Sequence, residues 1–384
     1  MKTTPPPLLN APERRRFLKL SATTGFTVAA VAAGGGALFS PEAVAQTKNE
    51  ERERAEAAKY TMTIATSYRV GTDRTFPVMQ LHLKENIQNA TRGRIYVKLV
   101  PGGAIGSDSE LAQKVQAGTI QGAQHSMSNF APFAPAVDLI NMPYWCGDNQ
   151  QFVNLVSSRA WAEHVNQRVE ANGFKPLLYQ CVDPRTISLR KGFRDTPIRT
   201  PEDLRGMKFR VPGYKILAQV YRLMGANPTP VSWGESASAI RQGVADGLDP
   251  NVMGLNLFGF KEIISHDSFI RAVPDGGAYS CNLKWFQSLD SGTQEALLWA
   301  AQITFLQNMA HVPAAREFAM AEMEQAGVQF YHPSKDELAQ WKEAAGAQRS
   351  EWDDMKKALV GSLDVFEQLN QAANTPSRYY VHDV

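Results

Sequence analysis

Two stretches of the sequence repeat the same order of strand, helix, strand and helix, and this repetition limits the possible folds more than any other feature. In residues 60–118, alternating apolar residues predict two strands, and apolar residues at helical spacing predict a helix after each strand. The same order returns in residues 200–243. Because strand and helix alternation favours parallel pairing, we expect two α/β domains of related construction, each with a largely parallel sheet.

A long helical pattern follows the second stretch. Residues 293–325 carry apolar side chains at helical spacing, and we expect Pro313 to kink or divide this helix. A helix of roughly thirty residues extends about 45 Å, which is enough to cross two domains. The stretch from Ser334 is again helical in pattern, with Trp341 and Trp352 as expected packing anchors.

The N-terminus has the features of a twin-arginine export signal. Residues 14–19, RRRFLK, fit the pattern Arg-Arg-x-Phe-Leu-Lys, and residues 43–45, AVA, offer a small-x-small cleavage site. The uncharged stretch between them contains several glycines and threonines, which argues against a retained membrane anchor. We therefore expect residues 1–45 to be a signal peptide and the mature protein to act in the periplasm. Residues 46–59 are charged without apolar periodicity, so we expect a linker that frays.

Removal of this signal leaves a nearly balanced charge. The signal holds five of the 40 Lys and Arg residues and two of the 38 Asp and Glu residues, so 35 basic and 36 acidic residues remain. This balance offers no electrostatic surface for nucleic acid, and we expect no such partner. Cys146, Cys181 and Cys281 are widely spaced, with no metal-binding motif, so we expect buried structural cysteines and no cofactor.

Sequence motifs of three common catalytic sites are absent. The chain contains no Gly-x-Ser-x-Gly, no His-Glu-x-x-His and no Walker-type Gly-x-x-x-x-Gly-Lys. These absences point away from three enzyme classes, and the resemblance described next implies a binding protein and not an enzyme.

The strongest functional signal lies in residues 208–251. This segment contains a Lys-x-Arg-Val strand, then Gly-Ala-x-Pro-x-Pro, then a glutamate before a helix that ends in Gly-Val-x-Asp-Gly. With these motifs the segment resembles the extracytoplasmic solute receptors of tripartite ATP-independent periplasmic (TRAP) transporters. The matching residues are Lys208, Arg210, Val211, Gly225, Ala226, Pro228, Pro230, Glu235, Gly243, Val244, Asp246 and Gly247. Residues 97–123 and 141–144 extend the resemblance over most of the mature chain.

The resemblance implies an α/β, two-domain periplasmic binding protein fold with a cleft, a hinge and a long helix that spans both domains. We expect residues 60–184 and about 277–312 to form domain I, residues 185–276 and about 313–373 to form domain II, and residues 374–384 to form a mobile tail. The family further implies a monomeric receptor that binds a small organic acid. It would deliver this ligand to the small and large TRAP membrane subunits.

The resemblance also implies that Arg210 binds a ligand carboxylate through a two-pronged salt bridge. A guanidinium suits this role because its planar donor fork matches a carboxylate. Arg185 falls near the second polar ligand residue of the family, and Arg190 is the competing choice. Trp233 lies where the family often places an aromatic residue that packs on the ligand, and a core position is an equal alternative.

Further candidates come from strand ends and from the motif. Ser67, Tyr68 and Ser126 follow predicted strands of domain I, where ligands of open α/β sheets bind, although they also suit ordinary loops. Glu235 is a candidate because it belongs to the motif in residues 208–251. Asp249 and Asn251 of the same segment are the remaining candidates.

One departure from the family pattern concerns the ligand. Residues 248–251 read Leu-Asp-Pro-Asn where many members have Gln-Glu-Asn-Pro. Asn251 is expected to replace the usual asparagine, while Asp249 would repel a second carboxylate and accept hydroxyls. This favours a monocarboxylate with hydroxyl or keto groups over a C4-dicarboxylate. Two alternatives stay open: an exported enzyme that uses Glu235 or Asp249, and a ligand sensor for a signalling protein.

Overall fold

The computed structural model describes residues 41–70, 75–213 and 215–379. The predicted export motif at residues 14–19 and residues 380–384 of the predicted tail lie outside the described residues.

The described chain contains both strands and α-helices. The strands are β1 (Tyr60–Ala65), β2 (Ile95–Val100), β3 (Gly122–Ser126), β4 (Phe174–Pro184), β5 (Ile187–Arg190), β6 (Lys208–Val211), β7 (Asn227–Pro230), β8 (Gly247–Leu248), β9 (Ile264–Ser268), β10 (Pro274–Asn282) and β11 (Gln329–Tyr331). The α-helices are α1 (Pro41–Ala57), α2 (Gln80–Ala90), α3 (Asp108–Gln116), α4 (Met127–Phe130), α5 (Asn149–Val156), α6 (Arg159–Trp161), α7 (Gln167–Ala171), α8 (Lys215–Leu223), α9 (Trp233–Arg241), α10 (Val252–Leu257), α11 (Leu283–Ser288), α12 (Ser291–Gln325), α13 (Lys335–Ala345), α14 (Asp353–Val360) and α15 (Leu363–Asn374).

The strands form two sheets, with the orders β2-β1-β3-β10-β4 and β11-β9-β5-β8-β6-β7. In the first sheet β1 pairs in parallel with β2 and β3, whereas β10 is antiparallel to β3 and β4. In the second sheet β6 pairs in parallel with β7 and β8, and β9 pairs in parallel with β11. Strand β5 is antiparallel to both of its neighbours, β8 and β9. The prediction of largely parallel sheets is confirmed for strand direction, since four of five strands in the first sheet and five of six in the second run the same way. The exceptions are β10 and β5, which each arrive directly from the other sheet. No helical crossover fixes their direction.

Helix α12 spans the molecule, as predicted. It is 35 residues long and contacts α2 and β4 beside the first sheet and α10 beside the second. Asn308 Nδ2 donates to the carbonyl oxygens of Pro77 and Cys181, and Glu322 accepts a 2.6 Å hydrogen bond from Asn256 of α10. Pro313 lies inside this helix and does not divide it, because packing on β4, α2 and α10 outweighs the one missing backbone hydrogen bond.

The segment predicted as a charged linker is helical, and this corrects the sequence-based expectation. Glu, Arg, Lys and Ala have high helix propensities, so α1 forms without an apolar stripe. Arg52 and Glu56 approach at 3.8 Å one turn apart. Glu51 accepts hydrogen bonds from Lys84 Nζ at 2.6 Å and from Tyr96 Oη at 3.1 Å, which attaches the helix to the first sheet.

The described part of the predicted tail is also attached. The Tyr379 ring meets Phe305 of α12 edge-on at 5.6 Å, and its carbonyl oxygen accepts a 2.8 Å hydrogen bond from Gln150 Nε2. Sequence composition did not reveal this long-range contact, and the mobility of the tail stays a prediction.

Several local predictions are confirmed. Ser107 and Glu110 have the Ser-x-x-Glu spacing that predicts a helix start, and they form a capping box at the start of α3. Trp341 and Trp352 are fully buried, and their indole nitrogens donate to backbone carbonyls. The three cysteines are buried and are not in disulfide bonds. In the part of the chain that the structure describes, no helix is long and apolar enough to cross a membrane.

Candidate ligand-binding cleft

A cavity of about 1010 Å³ lies between the two sheets. It opens where the parallel strands β1, β3, β6 and β7 end, because loops at the carboxyl ends of parallel strands converge there. Seven of the sequence-predicted residues line it: Ser67, Tyr68, Ser126, Arg185, Arg210, Trp233 and Asn251. The topology thus brings together residues that are far apart in sequence.

The first sheet contributes an aromatic and a hydroxyl wall. Tyr68 stacks on Phe76 with ring centroids 4.9 Å apart. The Tyr68 ring centroid also lies 6.1 Å from that of Phe258, which directly follows α10. Burial raises the pKa of Tyr68 well above its usual value, so its hydroxyl stays protonated. Ser126 caps α4 by accepting a hydrogen bond from the backbone N–H of Asn129.

Arg210 extends from β6 into the second wall of the cavity. Its Nε and Nη2 donate to the carbonyl oxygen of Val231 at 3.0 and 2.8 Å, and its guanidinium lies 5.4 Å from the Trp233 ring. Trp233 in turn packs on Phe258 and Phe260, with ring centroids 5.2 and 5.1 Å away. These contacts fix the orientation of the guanidinium at the cavity wall.

Arg185 lies in the two-residue connection between β4 and β5, where the chain passes from one sheet to the other. Its Nη2 donates to Asp275 Oδ1 at 2.9 Å and to Ser128 Oγ at 3.3 Å, and its Nη1 lies 3.4 Å from Asp249 Oδ2. Burial opposes the charged form, but the carboxylates of Asp275 and Asp249 outweigh it and raise the pKa of Arg185.

Asn251 lines the cavity, whereas Asp249 does not. Asn251 Oδ1 caps α10 by accepting the backbone N–H of Gly254 at 2.9 Å, and its Nδ2 donates to Asp275 Oδ2 at 2.8 Å. Asp249 is fully buried and lies behind Arg185, not in the cavity lining. Burial raises the pKa of Asp249, although Arg185 and Arg210 both oppose this shift.

Glu235 and Arg190 lie away from the cavity lining. Glu235 is exposed in the first turn of α9, where its carboxylate accepts a 2.8 Å hydrogen bond from Ser232 Oγ. Arg190 ends β5 and lies 3.6 Å from Asp246. The structure therefore places Arg185, and not its competitor Arg190, at the cavity.

Three acidic residues of the cavity lining, Asp108, Glu110 and Asp275, were not predicted as site residues. Asp275 is the second residue of β10. Asp108 begins α3, where its Oδ2 accepts hydrogen bonds from Ser126 N at 3.0 Å and Asn129 Nδ2 at 2.8 Å. Burial raises the pKa of Asp108 in spite of these donors. Asp108 lies between Ser107 and Glu110, whose capping-box pattern predicts that a helix begins at this point. Asp275 has no such local signal.

Comparisons with known proteins agree with this architecture. The sequence profile of bacterial extracellular solute-binding protein, family 7, matches residues 74–355. A solute-binding protein of Roseobacter denitrificans is 26% identical over 204 residues, which are 53% of this chain and 60% of that protein. The 2,3-diketo-L-gulonate-binding periplasmic protein YiaO of Escherichia coli is 24% identical over 221 residues, which are 56% of this chain and 64% of that protein. The chain thus spans less than two thirds of the length of these curated relatives.

A solved structure is also similar. The crystal structure of a TRAP periplasmic solute binding protein from Roseobacter denitrificans with bound β-D-glucuronate has a TM-score of 0.71 and 20% identity. The similarity covers 83% of this chain and 100% of that chain. At this identity the similarity concerns the fold, and it confirms the predicted two-domain fold class.

Proposed function

Because this chain belongs to the bacterial extracellular solute-binding proteins of family 7, we propose that it is a TRAP receptor that binds a small organic acid in the interdomain cleft and delivers it to TRAP membrane subunits. Similar proteins support an acid: one is a 2,3-diketo-L-gulonate-binding protein, and a related structure holds β-D-glucuronate. Each of these compounds carries one carboxylate.

The observation that carries the proposal is the position of Arg210 in the cavity wall. The Val231 carbonyl meets the edge of the guanidinium that bears Nε, and the Trp233 ring lies beside it. A guanidinium in this position can bind a ligand carboxylate through paired N–H donors. Hydrogen bonds to such charged groups contribute about 1.5–3 kcal/mol each.

Domain closure is the second part of the proposal. We assign residues 60–184 and about 277–312 to domain I and residues 185–276 and about 313–373 to domain II. Contacts from both domains to one ligand would favour the closed state over the open state. The connection between β4 and β5, the connection between β9 and β10, and helix α12 link the two sheets. They would therefore guide the hinge motion.

Cellular location and assembly complete the proposal. The twin-arginine signal in residues 1–45 would export the receptor to the periplasm, where it acts as a monomer without catalysing a reaction. The small and large TRAP membrane subunits would receive the ligand from the closed form.

A thermal-shift screen tests the proposed function. Purified protein is heated with sugar acids, hydroxy acids, keto acids and dicarboxylates, and at least one acid should raise the melting temperature. A ligand at 100 times its Kd adds about 2.7 kcal/mol to the free energy of unfolding. Arg210→Lys should remove most of the shift, whereas Arg222→Lys, on the exposed side of α8, should keep it. The proposal fails if no acid stabilises the protein or if Arg210→Lys keeps the full shift.

A further inference from the structure

The guanidinium of Arg185 already lies against two carboxylates of the protein itself. Its Nη2 donates to Asp275 Oδ1 at 2.9 Å, and its Nη1 lies 3.4 Å from Asp249 Oδ2. Because both terminal nitrogens face aspartates, the positive charge of Arg185 is already compensated, and a ligand carboxylate would compete with these aspartates for it.

Asp275 combines this contact with a position at the cavity surface. Its side chain is 16% exposed and lines the cavity. Each oxygen accepts one hydrogen bond, Oδ1 from Arg185 and Oδ2 from Asn251 at 2.8 Å. Since a carboxylate oxygen can accept two hydrogen bonds, Asp275 has the capacity to accept another donor from the cavity.

Carboxyl groups outnumber guanidinium groups in the described lining of the cavity. The lining carries carboxyl groups at Asp108, Glu110 and Asp275 and guanidinium groups at Arg185 and Arg210. A ligand with two carboxylates would therefore place one of them against negative charge, and like charges repel strongly in a partly buried site. A ligand hydroxyl avoids this repulsion because it can donate a hydrogen bond to a carboxylate.

We propose that Asp275 sets the specificity of the cleft: it accepts a ligand hydroxyl and, together with Asp249, prevents Arg185 from binding a second carboxylate. The ligand class that fits is a hydroxylated monocarboxylate whose carboxylate binds Arg210. Dicarboxylates of the same size bind more weakly. This inference rests on the proposed function, because it requires a ligand carboxylate at Arg210.

Two matched pairs of acids test the inference. D-Gluconate and D-glucarate share a carbon chain and differ only in whether the last carbon is a hydroxymethyl group or a carboxylate. 4-Hydroxybutyrate and succinate differ in the same way on a shorter chain. In isothermal titration calorimetry, the wild-type protein should bind the hydroxylated monocarboxylate of at least one pair about 10-fold or more tightly than its partner.

Asp275→Asn is the decisive variant, because it removes the charge and keeps the size of the side chain. It should lower the affinity ratio within that pair about 10-fold, by weakening the hydroxylated acid and strengthening the dicarboxylate. Asp108→Asn provides a second test that does not disturb Arg185, and it should shift the ratio in the same direction. Asp138→Asn is the matched control: its carboxyl group accepts a 2.7 Å hydrogen bond from Asn141 and lies outside the cavity lining. Its ratio should equal that of the wild type.

Two results would overturn the inference: dicarboxylates that bind the wild type as tightly as their partners, or an affinity ratio that Asp275→Asn leaves unchanged. A purely structural role of Asp275 would weaken both acids of a pair equally and leave the ratio unchanged. Failure of the proposed function looks different. In that case no acid of the thermal-shift screen stabilises the protein, or Arg210→Lys leaves every affinity as it is in the wild type.

Discussion

Arg316 of α12 forms a buried ion pair with Asp183 at the end of β4. Arg316 Nη1 lies 3.0 Å from Asp183 Oδ1, and the two side chains are 8% and 1% exposed. Asp183 also accepts a 2.9 Å hydrogen bond from Asn149 Nδ2, and its backbone φ of 139° is unusual for a residue other than glycine. The ion pair therefore attaches the long helix to the point where the chain leaves the first sheet.

Loss of this ion pair should destabilise the protein strongly. Arg316→Ala leaves the Asp183 carboxylate buried without this compensating charge, and the free energy of unfolding should fall by about 3–5 kcal/mol. Urea unfolding followed by circular dichroism measures the change. Arg159→Ala is the control, because Arg159 and Glu163 form an ion pair with side chains 89% and 44% exposed. We expect no measurable loss there. Equal effects of the two substitutions would contradict the structural role of Arg316.

The stability of the protein should fall between about pH 4 and pH 7 because of Asp267. Burial raises the pKa of Asp267 to about 7, although Thr186 and Ser188 donate hydrogen bonds to its carboxyl group. The folded state therefore keeps a proton that the unfolded chain loses above about pH 4. This group alone should lower the free energy of unfolding by roughly 2 kcal/mol between pH 5 and pH 8.

Asp267→Asn tests this pH dependence. The amide cannot ionise and can donate to Thr186 Oγ1, whose own proton then bonds the Pro250 carbonyl oxygen 2.9 Å away. The variant should gain stability relative to the wild type as the pH rises, with little further gain above pH 7. Urea unfolding at pH 5, 6, 7 and 8 measures the difference. A difference that is constant across these values would contradict the raised pKa.

Export should depend on two of the three consecutive arginines near the N-terminus. Replacement of Arg14 and Arg15 by lysine should block processing and periplasmic location, because the twin-arginine pathway reads that pair. Arg16→Lys changes the variable position of the motif and should permit export. Cell fractionation and precursor size on gels measure both variants. Normal export of the double variant would contradict the predicted pathway.

Local sequence signals predicted local structure well. The capping box of Ser107 and Glu110 depends on four consecutive residues, and α3 begins where that box predicts. The direction of β5 and β10 could not be predicted in this way. Each depends on where the chain changes sheets, and no local pattern marks those points.

The candidate site was predictable only in part for the same reason. Arg210 was found because it lies in a recognisable strand motif. The choice between Arg185 and Arg190 required the strand pairing, which places Arg190 at the end of β5 near Asp246. Asp275 joins the site through a contact with Arg185, 90 residues earlier in the chain, which no spacing rule predicts.

A crystal structure of the protein with D-gluconate or another stabilising acid tests the central claim most directly. The proposed function predicts that the ligand lies in the cleft and that its carboxylate accepts hydrogen bonds of about 2.7–3.0 Å from the terminal nitrogens of Arg210. A ligand bound outside the cleft, or a carboxylate that contacts Arg185 and not Arg210, would contradict it.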